Sequence, residues 1–377
     1  MNIQSEVNKL AENIYSEYGL KKVINASGKM TILGVSQVPE DVIDAQKFGD
    51  THFFEMADLD VQTGKHLAKL LGAEDAIVVN SASAGIAMAV AGLIGQGSMY
   101  HVYHADDPRF ENREIIMPKG HNVDYGTPEE VMVHLGGGQV VEAGYANMCT
   151  PEHIEMMITD KTVAVLYVKS HHTVQKSMLS VKEAVDVAHK HGLPLILDAA
   201  AEEDMKKYLE LGADIIVFSG AKAIEGPASG LVYGKAKYID WIRLQKKGIG
   251  RAMKIGKENI LGLTAAIERY LKVGPEDGEH MRQRLTPFIK DLNEVPNIEA
   301  KEVQDGAGRE IYRAAVTVKS SSQKDAKEVT KELKIGDTAI YTREYRANEG
   351  IIEFDIRAVD KDEMKIIVDR LQEIQSN

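Results

Sequence analysis

The chain has 377 residues, of which 44% are hydrophobic and 27% are charged, so it is globular and too long for one ordinary compact core. The net charge of −12 argues against a surface that binds nucleic acid through clustered lysines and arginines. No apolar run reaches the roughly 18 to 20 residues of a membrane span, and the N-terminus lacks the features of a secretory signal. The single cysteine, Cys149, fits a reducing compartment, so we expect a cytoplasmic protein. From the charge and the absence of a long apolar run, we expect no nucleic-acid or membrane partner.

The N-terminal 50 residues are predicted to form a helix and an arm. Apolar residues recur at helical spacing over the first turns of this segment, at Ile3, Val7, Leu10, Ile14 and Tyr18. We therefore expect a helix that packs on a partner or on the rest of the fold.

Residues 51–255 alternate between helices and apolar strands. The predicted strands read AIVV, EIIM, QVVE, VAVLYV, LPLIL, DIIVF and GLVYG. Apolar strands separated by amphipathic helices are typical of a largely parallel sheet covered on both faces. This segment therefore predicts a large α/β domain.

Residues 256–377 are predicted to form a linker helix and a smaller domain. Gly274-Pro275-Glu276-Asp277-Gly278 is the clearest linker. After it the pattern is helix, strand, strand, helix, strand, strand, helix, which indicates an α+β domain.

A run of small residues lies between the strand AIVV and the next predicted helix. It reads Asn80-Ser81-Ala82-Ser83-Ala84-Gly85. Small side chains let backbone N–H groups approach a phosphate closely, and the helix N-terminus adds partial positive charge. Ser81, Ala82 and Ser83 are therefore candidate phosphate ligands, although an ordinary N-capped turn would look the same.

An acid, Asp198, stands at the end of the strand LPLIL. In open α/β sheets, ligands bind at the carboxyl ends of the strands. In enzymes that use pyridoxal 5'-phosphate (PLP), an acid at this place keeps the pyridine nitrogen protonated, so that the ring can accept the electrons of a carbanion. A helix N-cap would explain the aspartate equally well.

A lysine, Lys222, follows the strand DIIVF in the small-residue loop Ser219-Gly220-Ala221, 24 positions beyond Asp198. A lysine amine in such a loop can form a Schiff base with an aldehyde. A single surface lysine would mean little. The phosphate turn, the strand-end acid and the strand-end lysine nevertheless occur in the order that a PLP site requires, so the set predicts a PLP enzyme with Lys222 as its Schiff-base lysine.

The chain also resembles the selenocysteine-synthase-like branch of fold-type-I PLP enzymes. The resemblance runs from about residue 20 to 260 and more loosely to the end, and it rests on VINASGKM, DVQTGKHLAKLLGAEDAIVVNSASAGIA, VKSHHTVQ, HGLPLILDAAAE and FSGAKAIEGPASGLVYG. It implies the aspartate-aminotransferase superfold, with a mostly parallel sheet in the large domain and a small C-terminal α+β domain. It also implies a homodimer or a higher homo-oligomer.

The resemblance assigns roles to individual residues. It implies that Lys222 is the Schiff-base lysine, Asp198 the partner of the pyridine nitrogen, and Ser219 a phosphate ligand together with the turn at Ser81. His121, after the strand EIIM, falls where the superfold places a residue stacked on the cofactor ring, and it is a candidate catalytic residue. The acid that helps the β-hydroxyl group to leave is expected to be Lys222 itself or a nearby histidine.

Two further histidines, His171 and His172 in VKSHH, are candidate contacts of the cofactor's phenolic oxygen or of the substrate. Like His121, each of them can also be an ordinary polar residue of a loop.

Within this branch the ammonia-lyase subgroup matches best. It implies elimination of water and ammonia from D-glucosaminate 6-phosphate, or from a similar 2-amino-3-hydroxy acid phosphate, to give 2-keto-3-deoxy-6-phosphogluconate. Selenocysteine synthases read SGDK where this chain has SGAK, and they carry an N-terminal tRNA-binding domain, so no tRNA substrate is expected. The alternatives are a sulfur amino-acid β-lyase, a selenocysteine-synthase-type transferase and a non-catalytic protein of this fold.

Three residues are candidate substrate contacts. Asn25 lies in VINASGKM, and Arg251 lies in the basic stretch KKGIGRAMKIGKEN, which could hold a distal phosphate or form a solvated face. Arg357, in IIEFDIRAV, is predicted on a strand, where it could bind a carboxylate or form a salt bridge. No histidines and carboxylates have the spacing of a metal site, so we predict no metal.

Overall fold

The computed structural model describes residues 14–170, 172–305 and 309–376. The predicted N-terminal helix positions Ile3, Val7 and Leu10 lie outside these residues. The chain divides into two compact units, a large one formed by Val38–Pro275 and a small one formed by the segments on either side.

The strands and helices alternate over most of the chain. The strands are β1 (Lys22–Ala26), β2 (Asp75–Val79), β3 (Glu114–Pro118), β4 (Gln139–Ala143), β5 (Thr162–Val168), β6 (Leu195–Asp198), β7 (Ile215–Ser219), β8 (Gly230–Gly234), β9 (Ile298–Gln304), β10 (Tyr312–Val318), β11 (Thr338–Thr342) and β12 (Ile351–Phe354). The helices are α1 (Glu40–Thr51), α2 (Met56–Leu71), α3 (Ala82–Gly95), α4 (Met99–Tyr103), α5 (Glu129–Leu135), α6 (Pro151–Met157), α7 (Val181–Lys190), α8 (Lys207–Glu210), α9 (Ala236–Leu244), α10 (Lys257–Val273), α11 (Gly278–Leu292), α12 (Ala326–Leu333) and α13 (Lys361–Ser376).

The large unit is built on a seven-stranded sheet of order β2-β8-β7-β6-β5-β3-β4 among its described residues. Strands β3 to β7 run parallel to their neighbours, and β8 is antiparallel to both β7 and β2. Every residue of β5 is buried, as expected for a strand with both faces covered. The predicted α/β fold with a mostly parallel sheet is confirmed.

Helix α3 packs directly on this sheet. It is apolar all round, and its residues from Ala84 to Gly95 are buried. Gly85 permits the close approach, because a Cβ atom there would lie 2.7 Å from Cγ2 of Val232 on β8. The N-terminus of α3 is thereby held against the carboxyl edge of the sheet.

The small unit has an antiparallel sheet of order β12-β10-β9 and a separate parallel pair, β1 with β11. Its strands and helices follow the order predicted for the C-terminal domain, which is confirmed. Strand β1 pairs with β11 in this unit, and the two compact units divide after Gln37 and Pro275. Helix α10 belongs to the large unit, where it packs against α1 and α2.

Within the described part of the chain, every helix is too short or too polar to cross a membrane.

Gly64 on α2 is predicted to be intolerant of any side chain. A Cβ atom there would lie 2.1 Å from the carbonyl oxygen of Ala76 on β2. We expect Gly64→Ala to lower the free energy of unfolding by about 1–3 kcal/mol, although alanine is the better helix former. Denaturant titration checks this, with the exposed neighbour Lys65→Ala as the control. A Gly64→Ala protein as stable as wild type would contradict the packing of α2 on β2.

Candidate active site

The sheet brings most of the predicted residues to one edge. Strands β5, β6 and β7 are parallel, so Val168, Asp198 and Ser219 end at the same side. In the register of β8, Gly230 pairs with Ser219 on one side and with Val79 on the other. The turn that follows Val79 therefore lies at this edge too.

Asp198 is the last residue of β6 and is buried. Its Oδ1 accepts a hydrogen bond from the N–H of Ala200 at 2.9 Å. Burial raises the pKa of Asp198, while the positive charge of Lys222 and the hydrogen bond from Ala200 act in the opposite direction. The carboxyl group is therefore a buried acid whose pKa is lowered by the charge of the predicted Schiff-base lysine, against the larger effect of burial.

Lys222 lies in a loop that folds back on itself. The N–H of Gly220 donates to Ser229 O at 2.9 Å, and the N–H of Gly226 donates to Gly220 O at 2.7 Å. A Cβ atom on Gly220 would lie 2.2 Å from Oγ of Ser229, so only glycine allows this closure. The loop fixes the backbone of Lys222 directly beyond Ser219.

The predicted phosphate turn is the N-terminus of α3. Ser81 is the N-cap, and its Oγ accepts a hydrogen bond from the N–H of Ala84 at 3.0 Å. The turn lies against Gly230, where a Cβ atom would be 2.5 Å from the carbonyl carbon of Ser81 and 2.7 Å from the nitrogen of Ala82. The sequence left open whether this segment is a phosphate-binding turn or an ordinary N-capped turn. The two interpretations are compatible, since the N-cap and the anion-binding N–H groups of a helix N-terminus belong to the same turn.

Ser83, on the first turn of α3, forms a hydrogen bond of 3.1 Å with the hydroxyl group of Tyr125. Tyr125 comes from the loop between β3 and α5 and was not among the predicted site residues. Burial raises the pKa of its phenol well above the usual range, so the hydroxyl group stays neutral.

His121 is 1% exposed and lies on a short 3-10 turn after β3. Its ring packs edge-on against Tyr167 at 4.4 Å between centroids, and its Nδ1 accepts a hydrogen bond from the N–H of Val168 at 3.3 Å. Burial, and then the positive charge of Lys169, lower the pKa of His121 to about 4. The ring is therefore neutral at neutral pH, with its proton on Nε2.

Glu129, the first residue of α5, is a buried acid that sequence reasoning missed. It is 0% exposed, and burial, followed by the negative charge of Asp198, raises its pKa to about 9, against the lowering effect of Lys222. An acid after a proline at a helix start is common on protein surfaces, so the local sequence held no signal for this position.

Of the two predicted histidines after β5, the structure describes His172. His172 is exposed, and its N–H donates to Oγ of Ser170 at 3.2 Å. His171 lies outside the described residues. The predicted cofactor or substrate contact by either histidine stays a prediction.

Arg251 is exposed at a pocket of about 660 Å³ in the large unit. The pocket wall combines apolar side chains with the cationic residues Lys247 and Lys254. The side chain of Asn80 donates to Lys254 O at 3.2 Å, which ties the pocket wall to the residue before the phosphate turn.

The other two predicted substrate contacts, Asn25 and Arg357, belong to the small unit. The side chain of Asn25 is engaged with its own turn, as it donates to Gly28 O and accepts from the N–H of Ser27. The sequence predicted Arg357 on a strand, but Arg357 lies in a turn beyond the end of β12. The strand ends earlier because Asp355 leaves it and is held by both Arg357 and Arg313, at 2.9 and 3.0 Å.

The residues at the edge of the large unit match PLP in chemistry. They offer an amine for the aldehyde (Lys222), a buried acid for the pyridine nitrogen (Asp198) and a helix N-terminus with small side chains for the phosphate (Ser81). Among the described residues, no group of three His, Cys, Asp or Glu could hold a metal ion.

The chain is similar to known proteins over almost its full length. The family model described as SelA, L-seryl-tRNA selenium transferase, matches residues 23–370. D-glucosaminate-6-phosphate ammonia lyase of Salmonella typhimurium (strain 14028s / SGSC 2262) is 44% identical, covering 97% of this chain and 98% of that protein. A solved structure of D-glucosaminate-6-phosphate ammonia-lyase superposes with a TM-score of 0.91 at 44% identity, covering 97% of this chain and 98% of its own. A 5'-C-glycyluridine monooxygenase-decarboxylase of a Streptomyces species is 34% identical, covering 96% of this chain and 91% of that protein.

The fold and the residues at the sheet edge define an enzyme of the fold-type-I PLP class. The cofactor that this class implies is PLP. The chain belongs to the SelA family.

Substitution at Gly230 should weaken binding of PLP without unfolding the protein. The Cβ atom of Gly230→Ala would push the turn at Ser81 away from β8, so we expect at least about tenfold weaker binding. Absorbance titration of the apoprotein with PLP measures this. Tyr233→Phe is the control. Tyr233 lies on the same strand as Gly230, and its substitution removes a hydrogen bond to Met205 O but leaves the turn at Ser81 untouched. Equal affinities of Gly230→Ala and Tyr233→Phe would refute a role for this contact.

The buried His121 predicts loss of stability in mild acid. Its pKa is about 4 in the folded protein and 6.5 in the unfolded chain, so the unfolded chain binds the proton first. The stability that depends on neutral His121 is complete above pH 6.5 and is lost as the pH falls toward 4, by at most about 3 kcal/mol. Unfolding free energies measured across this range check the slope. His121→Gln should flatten it, and parallel curves for the two proteins would show that His121 is not the cause.

Proposed function

We propose that the chain is a PLP-dependent ammonia-lyase that converts D-glucosaminate 6-phosphate, or a similar 2-amino-3-hydroxy acid phosphate, to 2-keto-3-deoxy-6-phosphogluconate and ammonia. The observation that carries the proposal is the full-length match to the Salmonella lyase, at 44% identity, of a chain in which Lys222 acts electrostatically on the buried Asp198. Relatives with lower identity carry names for other reactions and do not support this substrate.

The reacting centre is assigned to Lys222 and Asp198. PLP, when bound, supplies an electron sink for the negative charge that develops at the substrate α-carbon. The amine of Lys222 holds the cofactor between turnovers and removes the α-proton as the general base. The carboxylate of Asp198, kept from water, keeps the pyridine nitrogen protonated.

The neighbouring residues bind and orient. The N–H groups at Ser81, Ala82 and Ser83, with the side chain of Ser219, hold the cofactor phosphate at the N-terminus of α3. The ring of His121 has one nitrogen engaged by Val168, so it presents a neutral, fixed face to the cofactor. His171 and His172 keep their proposed contacts with the phenolic oxygen or the substrate.

Substrate contacts are proposed at three further residues. Arg251, with Lys247 and Lys254 at the same pocket, provides positive charge suited to a distal phosphate. Asn25 and Arg357 are proposed to contact the substrate carboxylate region. The guanidinium group of Arg357 would then bind the substrate carboxylate while it also remains paired with Asp355.

A homodimer or higher homo-oligomer in the cytoplasm is proposed as the working form. In the large unit Phe53 is fully exposed and Phe48 is 52% exposed, and aromatic side chains of this kind are enriched at protein interfaces. Sedimentation velocity measures the oligomeric state directly.

Release of keto acid from D-glucosaminate 6-phosphate is the decisive assay. We expect turnover by the PLP-loaded protein and a loss of at least about 10³-fold in Lys222→Ala, because both the cofactor link and the base are removed. Lys206→Ala, an exposed lysine of the same unit, is the control. Asp198→Asn should keep the cofactor bound but lose most of the rate.

Two results would change the proposal. Wild-type protein that binds PLP but releases no keto acid would direct the search to sulfur amino acids or to a selenocysteine-synthase-type transfer. Protein that takes up no PLP would support a non-catalytic descendant of the fold.

A further inference from the structure

The buried carboxyl group of Glu129 has no role in the reaction as described so far. Its side chain is 0% exposed, and neither Oε1 nor Oε2 has a hydrogen-bond partner within the described part of the chain. Burial of an unpaired charge costs several kcal/mol, and native structures rarely leave such a group without a function.

The loop that ends at Glu129 is firmly built. The N–H of Glu129 donates to Val123 O at 3.1 Å. The side chain of Asn122 accepts from the N–H of Glu130 at 3.3 Å and donates to its Oε2 at 3.0 Å. The same loop begins at His121 and includes Tyr125. Glu129 is therefore fixed by the segment that supplies two other residues of the site.

The charged and titratable groups around Glu129 come from several elements. They are Asp198 on β6, Lys222 after β7 and, in its own loop, Tyr125. The charge of Asp198 raises the pKa of Glu129, so these two buried carboxyl groups cannot both be ionised at low cost. Asp198 has the hydrogen bond from Ala200, whereas Glu129 has none among the described residues, so Glu129 is the carboxyl group that is less supported as an anion.

We propose that Glu129 is a catalytic acid of this site, a neutral carboxylic acid that protonates the hydroxyl group leaving from the substrate β-carbon. The inference rests on the proposed function, because it concerns the step in which water is eliminated.

The protons and electrons balance within the site. Lys222 takes the α-proton and becomes an ammonium group, and the electron pair of the Cα–H bond ends in the Cα–Cβ double bond as the Cβ–O bond breaks. The O–H bond of Glu129 breaks at the same time, and its proton completes the departing water. The ammonium group of Lys222 then faces the carboxylate of Glu129 and returns a proton to it, so both groups are reset without an outside donor.

The first experiment tests the protonation state without turnover. Infrared spectra of the apoprotein near neutral pH should contain the carbonyl stretch of a buried carboxylic acid that shifts in D₂O. Glu129→Gln should lose this band. Glu152→Gln should keep it, since Glu152 also follows a proline in the first turn of a helix but is exposed. A band that persists unchanged in Glu129→Gln would overturn the proposal.

The second experiment separates acid catalysis from folding and from the base. Glu129→Gln should release keto acid from D-glucosaminate 6-phosphate about 10²–10⁴-fold more slowly than wild type, the usual range for a lost general acid. Elimination from the 3-deoxy-3-chloro analogue, whose chloride needs no proton, should change by less than about threefold. Exchange of the α-proton with D₂O should also persist, because it depends on Lys222.

The outcomes distinguish the two levels of the hypothesis. Wild-type protein that releases no keto acid would overturn the proposed function. An active wild type with a Glu129→Gln variant of equal rate would overturn only the assignment of the acid. Equal losses with the hydroxy and chloro substrates, together with loss of α-proton exchange, would mean that Glu129 is structural, and would overturn the assignment as well.

Discussion

The carboxyl group at the end of β6 is the charge around which the large unit is arranged. Asp198 lies where water is excluded, and burial raises its pKa, while the hydrogen bond from Ala200 and the positive charge of Lys222 act in the opposite direction. A second ionised acid at this place would have no such support. Burial raises the pKa of Glu129, and the negative charge of Asp198 raises it further, so Glu129 is buried at least cost when it keeps its proton.

Close backbone packing places these groups with little freedom. Gly85 allows α3 to lie on the sheet, Gly230 allows the turn at Ser81 to lie on β8, and Gly220 allows the Lys222 loop to close on Ser229. Each of these contacts would be blocked by a methyl group. The phosphate turn and the lysine loop are thus fixed to neighbouring strands, so a cofactor held at both ends would be positioned by backbone and not by mobile side chains.

The sequence predicted the sheet and the strand-end residues because both depend on local patterns. Apolar runs mark buried strands, and residues directly after parallel strands must share an edge, which located Asp198 and Lys222. Pairings between distant segments leave no such pattern, so the sequence did not reveal that β1 pairs with β11. Glu129 was missed for the same reason, since its burial depends on a loop that folds back through Val123 and not on its neighbours in the chain.

In the large unit, some candidate site residues lie at strand ends and others lie on the segments that connect the strands. Lys222 and Asp198 lie at the ends of sheet strands, and in their proposed roles they could serve any reaction that begins with loss of the α-proton, which fits a family whose members carry names for different reactions. The fate of the carbanion depends on what leaves from the β-carbon. Glu129 and the Arg251 pocket are supplied by the segments between strands, which vary more easily than the sheet. On the proposed assignments the choice of reaction would reside in these connecting segments, and the proposed acid at Glu129 would favour elimination of a hydroxyl group, which is a poor leaving group without a proton.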